Sequence, residues 1–195
     1  MLRHVYQSGI LTIFNSAGSH PLELWRTSTG ANGRVDLVQD RQLGETVLCL
    51  ESADLAHTFI TCPQQTTNTL GIKLPYLVLM VQNTDHLFSM EAEVADDHGT
   101  VRRLRAGNYE AEVHVEQDIG RLPLQLDPGW NYLALDLGQL TTRVFGTAFK
   151  EARRVTVHAS TQVRLIYFAD RIVPEEELPS ELRLYASSDT AEAEC

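Results

Sequence analysis

Leu70–Val81 reads LGIKLPYLVLMV and is the most apolar stretch of the chain. From Tyr76 to Val81 it lacks the polar alternation of a half-exposed strand. Its length and its aromatic and β-branched content suit a strand covered on both faces, although a buried helix segment shares this lack of alternation. Pro75 favours a strand that begins just after it, because proline has no N–H for a ladder interior. Gly71 and Lys73 mark a bend before it. Leu87–Val94, LFSMEAEV, alternates strictly: Phe88, Met90, Ala92 and Val94 face a core, and Ser89, Glu91 and Glu93 face water. The short polar link Gln82–His86 makes the two runs read as an antiparallel hairpin at the centre of a sheet.

Working outward, Ser8–Phe14, Pro21–Trp25, Thr46–Leu50 and His57–Thr61 read as strands, and Thr27–Arg34 as a loop. The glycines of that loop are not followed by the Gly-Lys-Ser/Thr of a phosphate-binding loop. Asp96–Gly99 is a hairpin turn and Thr100–Ala106 the return strand. Glu112–Glu116 alternates with Val113 and Val115 inward. Leu122, Leu124 and Leu126 alternate with polar neighbours, and Asp127-Pro128-Gly129 is a turn signal. In Trp130–Leu137, Leu133, Leu135 and Leu137 share one face, and Trp130, Tyr132 and Ala134 the other. Gly138–Phe145 is a short helix stopped by Gly146. Val155–Ser160 and Val163–Phe168 are the last strands, and Pro174–Leu182 a helical turn. About ten short strands with little helix predict an all-β fold, a two-sheet antiparallel β-sandwich of jelly-roll type with one or two short helices.

The 195 residues fit one domain, which needs no disulfide or metal staple. Net charge is −10. Residues 175–195 hold seven acids and one base, so −6 of that charge lies in a tail read as solvated. Binding to nucleic acid by the whole molecule is disfavoured. Three cysteines, Cys49, Cys62 and Cys195, have no metal-ligand spacing, and Cys49 reads as a core filler. With no apolar run of 18 residues and no signal-like segment, a soluble intracellular protein with no membrane span is expected.

No catalytic or metal motif stands out, so no catalytic residue, metal ligand or cofactor is assigned. His114, Glu112 and Glu116 share one strand face that reads as solvated. Arginine is the unusual feature: fourteen, against two lysines. Arg102, Arg103 and Arg105 form one group, and Arg143, Lys150, Arg153 and Arg154 another, with Arg164 and Arg171 on or after the last strand. Strand-edge arginines discourage aggregation; the same side chains also suit planar contacts to carboxylates on an acidic protein surface. Trp25, Tyr109, Trp130 and Tyr132 are candidate interface aromatics, each also a candidate for the core.

Several ordered segments carry a family resemblance: Gln7–Gly9, His20–Trp25 (HPLELW), Phe59–Pro63 (FITCP), Thr69–Pro75 (TLGIKLP), Arg102–Tyr109 (RRLRAGNY), Leu126–Asn131 (LDPGWN), Arg143 with Gly146-Thr147, Arg153–Ala159, Tyr167–Arg171 (YFADR) and Glu177–Tyr185 (ELPSELRLY). The chain resembles the family of cilia- and flagella-associated protein twenty over nearly its whole length. The resemblance implies a sandwich akin to carbohydrate-binding modules in residues 1–186, with 187–195 an acidic tail. It implies a non-enzymatic structural protein of the axoneme and basal body. There the family closes the B-tubule onto the A-tubule at the inner junction, beside tubulin and the Parkin co-regulated protein, with roles in ciliary motility. Arg102, Arg103, Arg105, Arg153, Arg154 and Arg171 match the family, and with Arg143 and Lys150 they are the expected partner-binding residues. The chain departs from the family's basic character at the loop 27–40, at His114, Glu116 and Asp118, and in its tail. The alternatives are a carbohydrate-binding-like or other interaction module outside the axoneme, which would need accessible tryptophans, and, third, an enzyme.

Overall fold

The computed structural model describes residues 1–2 and 7–183; the domain end at 186 and the tail at 187–195 lie outside them. Thirteen strands are described: β1 (Ile10–Asn15), β2 (Arg26–Ser28), β3 (Arg34–Gln39), β4 (Thr46–Glu51), β5 (Phe59–Cys62), β6 (Tyr76–Asn83), β7 (Ser89–Asp96), β8 (Val101–Gly107), β9 (His114–Glu116), β10 (Ile119–Pro123), β11 (Gly129–Asp136), β12 (Phe149–His158) and β13 (Thr161–Ala169). One helix, α1 (Leu137–Phe145), and two single 3₁₀ turns, Glu175–Glu177 and Ser180–Leu182, complete the chain. The strands form two stacked sheets. The first runs β11-β6-β13-β4-β3, and β1 shares β13 with β4; the second runs β2-β5-β12-β7-β8-β10-β9.

The sandwich is the expected one, but its centre is wired differently. β6 and β7 do not pair. β6 lies between β11 and β13, and β7 between β12 and β8. The link crosses from one sheet to the other, held where the Ser160 N–H donates to Leu87 O and Thr84 Oγ1 donates to Ser160 O. Apolar patterning selects the buried face of a strand and says nothing of its neighbour, so a crossing link and a hairpin link look alike. The second sheet also contains a parallel pair, β8 with β10. Pro21–Leu24 is a turn, not a strand, whereas Arg34–Gln39 is a strand that begins where the loop was expected to end.

Leu77, Leu79 and Val81 of β6 face Met90, Ala92 and Val94 of β7, Val155 and Val157 of β12, and Trp25 across the main core. The other face of β6 meets a second cluster. There Val78, Met80, Trp130, Leu165 and Tyr167 are covered by Leu178 and Leu182 of the C-terminal turns. This is why Tyr76–Val81 carries no polar alternation: both its faces are dry. Asp136 caps α1 by accepting from the Gln139 N–H at 2.8 Å, and Gly146 ends it in the left-handed region at φ 72°.

Asp96, fully buried at the β7–β8 turn, shows how an ionised group is kept inside. Burial pushes its pKa up. The Thr100 N–H at 2.7 Å and Arg102 Nε at 3.1 Å outweigh that and hold the carboxyl below the usual carboxylate range. A carboxylate whose pKa is depressed by folding stabilises above its unfolded pKa and loses that contribution as pH falls through the folded one. Asp96→Asn is therefore expected to lower the urea midpoint at pH 7. The gap to wild type should close as pH falls below the carboxylate range. A gap that stays constant down to acid pH would show that the charge contributes nothing.

Candidate interaction surface

The C-terminal turns cover the outer face of the first sheet. Among the described residues no second apolar cluster lies on the outer face of the second, although Thr61, Ser89 and Ala95 on it are buried. Strand alternation there points Met90, Ala92, Val94, Leu104 and Ala106 inward, so Glu91, Glu93, Arg103 and Arg105 point out. The register then sets Arg26, Thr61, Thr156, Glu91, Arg105, Arg121 and His114 side by side, one from each of the seven strands. An adjacent row holds Arg154, Glu93, Arg103, Ile119 and Glu116.

Along these two rows six arginines (Arg26, Arg103, Arg105, Arg121, Arg153 and Arg154) thus meet three glutamates (Glu91, Glu93 and Glu116), a local surplus of three positive charges on a chain of net charge −10. The pairs are uneven. Arg105 donates through Nε and Nη2 to Glu91 at 3.2 and 2.9 Å, and Arg153 Nε lies 3.3 Å from Glu93. Arg121 lies 3.9 Å from Glu116. Arg26 sits 5.7 Å over the Phe59 ring, and neither it nor Arg103 has a carboxylate partner among the described residues. His158 adds no charge at neutral pH. Burial pushes its pKa down and the Arg105 charge adds to that, against the opposing pull of Leu55 O, 2.8 Å from Nδ1, and of Glu91.

The eight expected binding residues divide. Arg103, Arg105, Arg153 and Arg154 are brought together on this face. Arg154 also holds local structure, since it donates to the carbonyls of Pro63, Thr66 and Asn68 at 2.9, 3.0 and 3.0 Å and pins the loop after β5. Arg102 is committed elsewhere, between Asp96 and Asp118 and over the Phe145 ring. Arg143 in the last turn of α1, Lys150 at the start of β12 and Arg171 after β13 are exposed and lie outside the two rows. Arg26 and Arg121, which complete the face, were missed. Their only sequence signal is a place next to an inward residue, Trp25 for one and Leu122 for the other. That signal becomes a site only when β2 and β10 are joined to the same sheet.

The tryptophans are not surface platforms. Trp25 is 2% exposed and donates from Nε1 to Ile13 O; Trp130 is 7% exposed and donates to Asp40. Acrylamide is expected to quench the native emission weakly, and strong quenching that vanishes on adding an oligosaccharide would revive the stacking reading. Cys49 is buried but points to the outer face of the first sheet, 3.7 Å from Arg34 Nη2, not into the main core. Burial pushes the Cys62 thiol up to about 12, which makes it a poor nucleophile. No cluster of three or more metal-ligating side chains occurs among the described residues, and no helix there is long and apolar enough to cross a membrane.

The CFA20 domain model matches residues 1–186. The chain belongs to the CFA20 domain family. Cilia- and flagella-associated protein 20 of Chlamydomonas reinhardtii is 42% identical over 185 residues, 95% of this chain and 97% of that protein. Its namesake in Caenorhabditis elegans is 38% identical over 95% and 91% of the two chains, and that in Paramecium tetraurelia 40% over 95% and 96%. Among solved structures, a family 11 carbohydrate-binding module from Clostridium thermocellum superposes with a TM-score of 0.47 at 7% identity, covering 87% of this chain and 100% of the module.

Proposed function

We propose that this CFA20 domain protein is a non-enzymatic structural component of the cilium. In this reading it is built into the axoneme and basal body at the inner junction of the doublet. It joins the B-tubule to the A-tubule next to tubulin and the Parkin co-regulated protein, and doublet stability and motility depend on it. The carrying observation is the two rows of arginines on the outer face of the seven-stranded sheet, on an otherwise acidic molecule. Tubulin surfaces are acidic, and complementary potential steers and orients such an encounter. Guanidinium groups present a planar fork suited to surface carboxylates. End-to-end similarity to proteins named for cilia and flagella supports the setting.

The test is localisation of the tagged chain in a ciliated cell. Signal along the doublets, retained in demembranated axonemes, is the expected result. Diffuse or nuclear signal would remove the axonemal role while leaving the family fold intact.

A further inference from the structure

The edge strand β9 has a chemistry opposite to that of the basic face. Residues 111–118 are exposed without a break. Val113 is 54% and Val115 49% exposed, although alternation predicts them inward. β9 pairs with β10 on one side and ends the sheet on the other. The two-residue turn Gln117–Asp118 is closed by the pair Glu116 and Ile119, so that pair exchanges hydrogen bonds. One step along, the main-chain N–H and C=O of Val115 therefore point away from β10, and Val113 enters the strand just before His114.

The side chains match this open edge. Val115 lies opposite Gly120, and a Cβ at Gly120 would meet Val144 Cγ1 at 2.5 Å, so α1 lies flat against the sheet there. Val115 projects to that same side, toward Val144, and the exposed Val113 stands just before the strand. On the other side stands Glu116, and the exposed Glu112 lies in the bend that leads into the strand. Among the described residues Glu112 has no ion-pair partner, and Glu116 has only Arg121 at 3.9 Å. The edge is thus a ladder with free bonds, Val115 on one side and Glu116 on the other.

We propose that β9 is a docking strand for an extended basic segment of a second protein. The segment adds to the sheet as an eighth strand. Its apolar residues cover Val113, Val115 and Val144, and its alternate lysines or arginines meet Glu112 and Glu116. Charge complementarity selects this occupant, and an acidic strand is repelled. The molecule would then hold an acidic partner on its sheet face and a basic one at its sheet edge. The inference does not depend on the axonemal reading, and its test contains no microtubules.

The probe is a synthetic peptide, Ac-SKVKVKS-amide, titrated into the full-length ¹⁵N-labelled protein. Expected are amide shifts confined to the 112–120 hairpin and the end of α1. Binding should be about tenfold weaker for Val113→Lys/Val115→Lys and for Glu112→Lys/Glu116→Lys. All four positions are exposed, so folding is retained, and ¹⁵N spectra of the free variants verify it. The peptide Ac-SEVEVES-amide should leave the spectrum unchanged. Shifts at another edge such as β3, wild-type affinity in either double variant, or no shift at about millimolar peptide would overturn the proposal. So would self-association of the protein abolished by Val113→Lys/Val115→Lys, since the occupant would then be a second copy.

Discussion

Arg26→Glu, Arg103→Glu and Arg121→Glu together are expected to leave the fold unchanged and to weaken the proposed binding to microtubules about tenfold or more. These three side chains make no close carboxylate contact and bridge no buried group, so their loss removes little from the folded state. Along the two rows they turn a local surplus of three positive charges into a deficit of three. An acidic partner is then repelled by the surface that attracted it. Losses of about tenfold or more in affinity, mostly through slower association, follow at low ionic strength. Wild-type binding should itself weaken as salt shortens the Debye length from about 10 Å at 0.1 M. Co-sedimentation with taxol-stabilised microtubules across a salt series measures both effects. The control reverses Arg143, Arg171 and Arg41, the last exposed in the turn between β3 and β4, which gives the same net charge outside this face. If both triple variants bind alike, net charge alone is responsible and the face has no special role. Arg154 and Arg102 are poor probes by comparison, because each holds local structure and its reversal would mix misfolding with lost contact.

Trp25→Ala is expected to be the most destabilising single change among the candidate interface aromatics. Its ring meets Phe14 edge-on at 5.9 Å and lies in the main core, just before the short strand β2 in the chain. Truncation of a buried tryptophan leaves a large cavity and costs about 3–5 kcal/mol. It also strands Ile13 O, which accepts from Trp25 Nε1 at 2.8 Å. Trp25→Phe keeps most of the volume and loses that hydrogen bond, and the smaller loss of about 1 kcal/mol separates the two contributions. Urea unfolding followed by far-UV circular dichroism gives both differences. A native-like midpoint for Trp25→Ala would mean that the indole is a surface group and would reopen an interface role for it.

The same residue marks where sequence reading stops. HPLELW is one of the segments that carry the resemblance to the family, and it contains a tryptophan that could anchor a partner or fill a core. Nothing within it chooses between the two, because burial depends on Phe14 and Ile13 arriving from another strand. Val113 and Val115 fail in the opposite sense. Their alternation matches that of Val155 and Val157, yet β9 ends its sheet and has nothing opposite to cover them.

What the sequence by itself determined is what is local or collective. Short alternating runs and frequent turn signals made a sandwich. Gly146 stopped the short helix. The unbroken apolar run at Tyr76–Val81 announced a strand covered on both faces, and long ordered motifs identified the family. Tertiary structure alone decided pairing. It sent β6 and β7 to different sheets, set β10 parallel to β8, and gathered arginines 26, 103, 105, 121, 153 and 154 onto one face while assigning Arg102 to Asp96 and Asp118. The physical reason is that a strand's pattern records which of its faces is dry, whereas its neighbours are chosen by backbone hydrogen bonds that are the same for every residue but proline.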